Sequence, residues 1–164
     1  MSTDNLQVID IIAGTTVDGP GLRTAIYFAG CDHACPGCHN PQSWNRNAGT
    51  PHSVEALMEQ IEEEGFNVTF SGGDPLQQPA GALVKLAKAI HSIGKTVWCY
   101  TGYRYEEICR HPEMARVLDE IDVLVDGPFV ERLRDTSLRF RGSSNQRLID
   151  LHRSTPDHIV LYAD

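Results

Sequence analysis

Short β-rich runs alternate along this chain with stretches of helical periodicity, and that alternation constrains the fold more than any other feature. "RTAIYFA" (23–29), "NVTFS" (67–71), "TVWCY" (96–100) and "DVLVD" (122–126) read as buried strands. Between the first two, "SVEALMEQIEEEG" places Val54, Leu57, Met58 and Ile61 on one helical face behind Ser53 as N-cap. A second helix carries Leu83, Leu86, Ala87, Ile90 and Ile93 on one face and stops at Gly94. A third helical stretch runs to about Ile121, with a break before Pro112. The tail is less regular, and "QRLIDL" and "HIVLYA" are each candidate strands. Strand, loop, helix, strand, repeated, predicts an α/β chain with a mostly parallel sheet of about four to six strands. A closed eight-stranded (β/α) barrel needs about 250 residues. The 164 residues here therefore predict a single domain over 1–164 built as an open partial (β/α) barrel.

In such sheets the loops after the carboxyl ends of the strands build the site. Those loops carry Cys31, Cys35 and Cys38, then "SGGDP" (71–75), then "YTGY" (100–103), then "DGP" (126–128). Every chemically interesting segment is thus predicted at one end of the sheet. An open arc does not enclose a small substrate, but it admits a loop of another protein.

"FAGCDHACPGCHNPQSW" (28–44) crowds three of the five cysteines into eight residues. A secreted disulfide scaffold spreads an even number along the chain, so this cluster reads as a metal site. Zinc is the weaker reading. Adjacent Cys38 and His39 do not readily aim at one ion, and no second Cys-x-x-Cys pair supplies the other half of a structural zinc site. A cubane iron–sulfur cluster normally takes four thiolates. Three on one loop leave one iron open to a substrate or cofactor, as a catalytic metal site does. Cys99 and Cys109 stand alone and read as small buried hydrophobes. His33 reads as a polar loop residue.

Net charge is −8, with a pI near 5.3, and no basic run interrupts the acidic balance. Such a chain repels phosphate backbones, which argues against nucleic acid as a partner. "MSTDNLQVID" has neither the positive start nor the apolar core of a signal peptide, and no apolar stretch reaches membrane-spanning length. A cytoplasmic protein without membrane contact is the expectation.

The motifs resemble a known family. Cys-x3-Cys-x2-Cys after a first strand, with a glycine-rich "SGGDP", is similar to the radical S-adenosylmethionine enzymes. "VDGPGLRTAIYFAGCDHACPGCHNPQSW" resembles the opening of their glycyl-radical-enzyme activases. "TFSGGDPL", "WCYTGY", "DVLVDGPFV" and "RFRGSSNQR" are similar to the activases of the anaerobic (class III) ribonucleoside-triphosphate reductase, from about Val17 to about Arg147. The resemblance implies a [4Fe-4S] cluster held by Cys31, Cys35 and Cys38 as catalytic metal ligands, with S-adenosylmethionine on the open iron. It implies that one electron, from a reduced flavodoxin or ferredoxin-type donor, cleaves the sulfonium to methionine and a 5′-deoxyadenosyl radical. That radical would take hydrogen from a glycine Cα of the reductase. Gly72 and Gly73 are then expected beside the cofactor, where a Cβ would block close backbone approach. Asp74 is expected at the methionine ammonium. Many such enzymes carry an aromatic residue just before the third cysteine, facing adenine. Here that position is Gly37, which leaves backbone around Gly37 and Cys38, or His39, as the adenine contact. Thr101, Asp126 and Trp44 are softer candidates, and the polar stretch Arg139–Arg147 is either a surface turn or a cofactor or partner contact. Pyruvate formate-lyase activation is the alternative within the same chemistry, and a non-catalytic zinc module the alternative outside it.

Overall fold

The computed structural model describes residues 5–33, 35–36 and 44–163. Their strands form one seven-stranded sheet. In chain order they are β1 (Asn5–Thr15), β2 (Arg23–Phe28), β3 (Thr50–Ser53), β4 (Asn67–Gly72), β5 (Val97–Tyr100), β6 (Val123–Asp126) and β7 (Arg147–Asp150). Across the sheet the order is β3-β1-β2-β4-β5-β6-β7. The inner four, β2, β4, β5 and β6, run parallel to one another. The β1–β2, β1–β3 and β6–β7 pairs are antiparallel. A mostly parallel sheet of about four to six strands is therefore corrected to a mixed one, with a parallel centre and antiparallel flanks.

The helices are α1 (Val54–Glu64), α2 (Ala80–Ser92), α3 (Tyr105–Cys109) and α4 (Pro112–Leu118). Ser53 caps α1 as its sequence predicts, its hydroxyl accepting from the Ala56 N–H at 3.1 Å. Gly65 closes α1 at φ 75°, donating its N–H to Ile61 O. The break before Pro112 is real and separates α3 from α4. Of the two candidate tail strands only the first forms; the second contributes only isolated bridges, Ile149 to Leu161 and Thr155 to His158.

All four helices pack on one face of the sheet. Leu57, Ile61, Leu83, Leu86, Ile90 and Ile108 meet Ile26, Phe28, Val68, Phe70, Cys99 and Leu124 there in one buried core. Side chains alternate along a strand, so the neighbours of these residues point the other way. Trp98, Val123 and Val125 form a smaller cluster on that second face, with Tyr100, Phe140 and Tyr162 packed on it. Among the described residues no helix covers it. This asymmetry decides where a ligand or partner can approach.

Arg23 secures the amino-terminal ends of the parallel strands. Though only 2% exposed, it donates to Val68 O at 2.8 Å and to Thr69 Oγ1 at 2.9 Å, and lies over the Trp98 ring. Burial lowers its pKa to about 10, so it remains charged at neutral pH. Gly81 lies near the start of α2, outside the left-handed region, and a Cβ there would meet nothing within 4 Å. Gly81→Ala should therefore stabilise the protein by about 0.5 kcal/mol in urea unfolding, through the entropy of the unfolded chain. Among the described residues no helix is long and apolar enough to cross a membrane.

Candidate functional site

The carboxyl ends of β2, β4, β5 and β6 meet at one cavity of about 660 Å³, open on the face the helices leave bare. Cys31 and Cys35 line it from the loop after β2; Gly72 and Gly73 line it from the end of β4. Thr101 and Gly102 follow β5, and Gly127 follows β6. The segments that the sequence predicts at one end of the sheet do converge. Both cysteines are half-buried. Cys38, Gly37 and His39 lie outside the described residues.

Gly72 owes its identity to its own strand, a different reason from ligand approach. Its φ is +99°, and a Cβ would stand 2.4 Å from Phe28 N and 2.6 Å from Phe28 O. Gly73 donates its N–H to Phe28 O at 2.8 Å, and the Asp74 N–H reaches Gly30 O at 2.7 Å. The glycine turn is thereby pinned to the start of the cysteine loop, while its side-chain-free surface faces the cavity.

Asp74 is not on the cavity wall. Its side chain is fully buried, and its carboxylate accepts from Leu76 N–H (3.0 Å), the Thr101 hydroxyl (2.9 and 3.0 Å), Gly102 N–H (2.9 Å) and His33 Nε2–H (2.6 Å). Both oxygens are engaged, so the expected ammonium contact is not what this geometry arranges. Thr101 likewise acts inside this network rather than toward the cavity alone. Asp126 is also internally paired: it accepts from Tyr105 N–H at 2.8 Å and from Arg147, which reaches on to Glu106. These two carboxylates raise the Arg147 pKa further. The Trp44 carbonyl accepts from Cys31 N–H at 3.2 Å.

Cys99 faces the helix-side core, where burial pushes its thiol well above the usual range and makes it a poor ligand. Tyr100 faces the cavity but gives its hydroxyl proton to Phe140 O at 2.5 Å, and burial raises its pKa. Burial and the bond to Asp18 (2.7 Å) do the same for Tyr27 on the adjoining wall.

The stretch "RGSSNQR" folds on itself. Gln146 accepts from Gly142 N–H and Ser143 N–H and donates to Gly127 O at 3.0 Å. Asn145 donates to Pro128 O, and Arg141 to Gln146 O. The motif thus straps the "DGP" turn, and Arg141 and Gln146 emerge on the cavity wall. Sequence reasoning missed three contributors: His33 as a partner of Asp74, the wall formed by Ile9, Ile12 and Val17 of the β1 region, and the opposite wall of Phe129, Leu138 and Phe140.

The donor set suits an iron–sulfur group. Soft thiolates select Fe–S or zinc over hard cations, and glycine backbone beside them leaves room for a small organic cofactor. The chain matches the family described as a 4Fe-4S single cluster domain over residues 17–149. That match defines the class: an iron–sulfur protein that carries one cluster. Proteins named anaerobic ribonucleoside-triphosphate reductase-activating protein are similar over most of the chain. The one from Escherichia coli K12 is 41% identical over 140 residues, covering 79% of this chain and 89% of its own. Those from Vibrio cholerae (34% over 149 residues, 85% and 92% covered) and bacteriophage T4 (35% over 140 residues, 80% and 86% covered) agree. This chain belongs to the family of anaerobic ribonucleoside-triphosphate reductase-activating proteins. Among solved structures, QueE from Escherichia coli aligns with a TM-score of 0.49 at 17% identity, over 60% of this chain and 52% of its own, a likeness too slight to build on.

Proposed function

We propose that this chain, acting as one domain, is the enzyme that installs a glycyl radical on an anaerobic ribonucleoside-triphosphate reductase. The observation that carries the reading is the placement of Cys31 and Cys35 on one cavity wall with Gly72 and Gly73, in a member of this family. Cys31, Cys35 and Cys38 would hold a [4Fe-4S] cluster. When bound, the cluster would supply the one-electron reduction of S-adenosylmethionine on which hydrogen removal from a glycine of the reductase depends.

The chain's own residues then bind, orient and exclude. Gly72 and Gly73 present backbone to the methionine end of S-adenosylmethionine. Arg141 is a cation lining the same cavity, suited to a carboxylate. Gly37 and His39 are the candidates for adenine. The face without helices supports reading the sheet as an open partial barrel, whose bare side admits the reductase loop. The electron donor would be a reduced flavodoxin or ferredoxin-type protein, in a cytoplasmic setting without nucleic acid or membrane.

Electron paramagnetic resonance tests this on anaerobically reconstituted protein, reduced and mixed with S-adenosylmethionine and the cognate reductase. A glycine-centred doublet that requires all three components is the expected result. Free 5′-deoxyadenosine without the doublet would keep the radical chemistry and redirect the search to another substrate, such as pyruvate formate-lyase. If cluster-loaded protein gave neither, the reading would be wrong.

A further inference from the structure

His33 sits midway between Cys31 and Cys35 and is tied to three parts of the site at once. Its Nε2 lies 2.6 Å from Asp74 Oδ2, 41 residues away, and against a carboxylate that nitrogen is the donor. Its ring stands edge-on to Tyr103, with centroids 4.5 Å apart and planes at 75°. Gly102 completes the slot: a Cβ there would approach His33 Cδ2 to 2.5 Å and Nε2 to 2.8 Å. The imidazole thus occupies space that is open only because residue 102 has no side chain.

The anchor it grips is rigid. Leu76 N–H, the Thr101 hydroxyl and Gly102 N–H fix the Asp74 carboxylate from the loops after β4 and β5. The Thr101 N–H is itself held by Val125 O of β6, at 2.9 Å. His33 is the partner of Asp74 that arrives from the cysteine loop. We propose that His33 is a positioning residue: by docking on Asp74 in the Gly102–Tyr103 slot, it fixes the Cys31–Cys35 segment against the loops after β4 and β5, placing both thiols before any cluster binds. The inference rests on the activase reading for the identity of the bound group. It also gives Asp74 a task that does not involve touching the cofactor.

A segment bearing soft ligands on a short loop has many conformers, and each must be frozen out when iron arrives. An anchor halfway along removes that entropy beforehand. Supporting contacts of this sort typically change metal affinity by about 10- to 100-fold. Glutamine at position 33 keeps an N–H donor at nearly the reach of Nε2, so it should retain the anchor in part. Gly102 lies outside the left-handed region, so Gly102→Ala adds no backbone strain and simply fills the slot.

The test compares wild-type protein, His33→Ala, His33→Gln and Gly102→Ala, each reconstituted anaerobically with iron and sulfide. Iron release to a ferrous chelator is followed with time, the reduced cluster's resonance spectrum is recorded, and the melting temperature of the metal-free protein is measured alongside. His33→Ala and Gly102→Ala should release iron about 10-fold faster or more, with a broadened or shifted spectrum. His33→Gln should fall between them and wild type, and the metal-free form of each variant should remain folded at the temperature of reconstitution. Equal iron release and identical spectra in all four proteins would overturn the inference while leaving the activase reading intact. Should His33→Ala prove too unstable to fold, a wild-type release rate in Gly102→Ala would overturn it equally. A wild-type protein that took up no iron and sulfide would overturn the activase reading and this inference with it.

Discussion

Cys31→Ala and Cys35→Ala, made singly, should each reduce cleavage of S-adenosylmethionine to background, and Cys38→Ala should do the same. A cubane cluster on three protein thiolates has no spare ligand, so two remaining sulfurs leave two irons without protein anchors. Neither Asp74 nor Cys99 is poised to replace Cys31 or Cys35. Asp74 is committed to its four partners, and the Cys99 thiol points into the core on the far side of the sheet. The result separates the catalytic sulfurs from the structural ones if Cys99→Ala is assayed beside them. Cys99 is fully buried among aliphatic side chains, so its replacement should lower stability by about 1 kcal/mol while cleavage persists. Release of 5′-deoxyadenosine from reduced, anaerobically handled protein is the measurement. Cleavage retained at a substantial rate in any of the three cysteine variants would remove that residue from the ligand set.

The helical part of this fold was legible because burial and period agree there. In α1, Val54, Leu57, Met58 and Ile61 are the buried residues, and they are the four that the 3.6-residue period selects. Of the central strands, β5 and β6 were legible because they are apolar on both sides, with the helix core on one face and Trp98, Val123 and Val125 on the other. The flanking strands were not. In β1 the pairing with β2 slips between Val8 and Asp10 and again between Ile12 and Thr15, so no single alternation runs along its 11 residues. In β3, "TPHS" carries no large apolar side chain, and only pairing with β1 makes it a strand. The site divides in the same way. Loops that follow successive parallel strands must lie together, so the topology alone juxtaposes Cys31, Gly72 and Thr101. The bond from His33 to Asp74 depends on side-chain reach across 41 residues, to which no local period corresponds. Asp74 stands out in the sequence through its motif, but the motif says nothing of which way its carboxylate turns.

Gly72→Ala should destabilise the protein by more than about 3 kcal/mol, enough to leave a small domain largely unfolded at 37 °C. Two effects act together. A φ of +99° is strained for any residue with a side chain, which costs about 1 to 3 kcal/mol. The added methyl would also lie 2.4 Å from Phe28 N, 2.6 Å from Phe28 O and 2.7 Å from Tyr27 C, all of them backbone atoms of β2. Backbone in the middle of a sheet has little freedom to withdraw, because Phe28 is paired with Gly72 in the parallel ladder and is itself fully buried. Relief would have to come from parting β2 and β4, which breaks the bond from Gly73 N–H to Phe28 O and loosens the start of the cysteine loop. Urea unfolding of metal-free protein reads the loss without any contribution from a cluster, and Gly81→Ala, at an open helical site, provides the matched control. A Gly72→Ala midpoint close to wild type would mean that the β2–β4 contact yields more readily than its backbone packing implies. In that case the glycine would be required by whatever occupies the cavity rather than by the strand it ends.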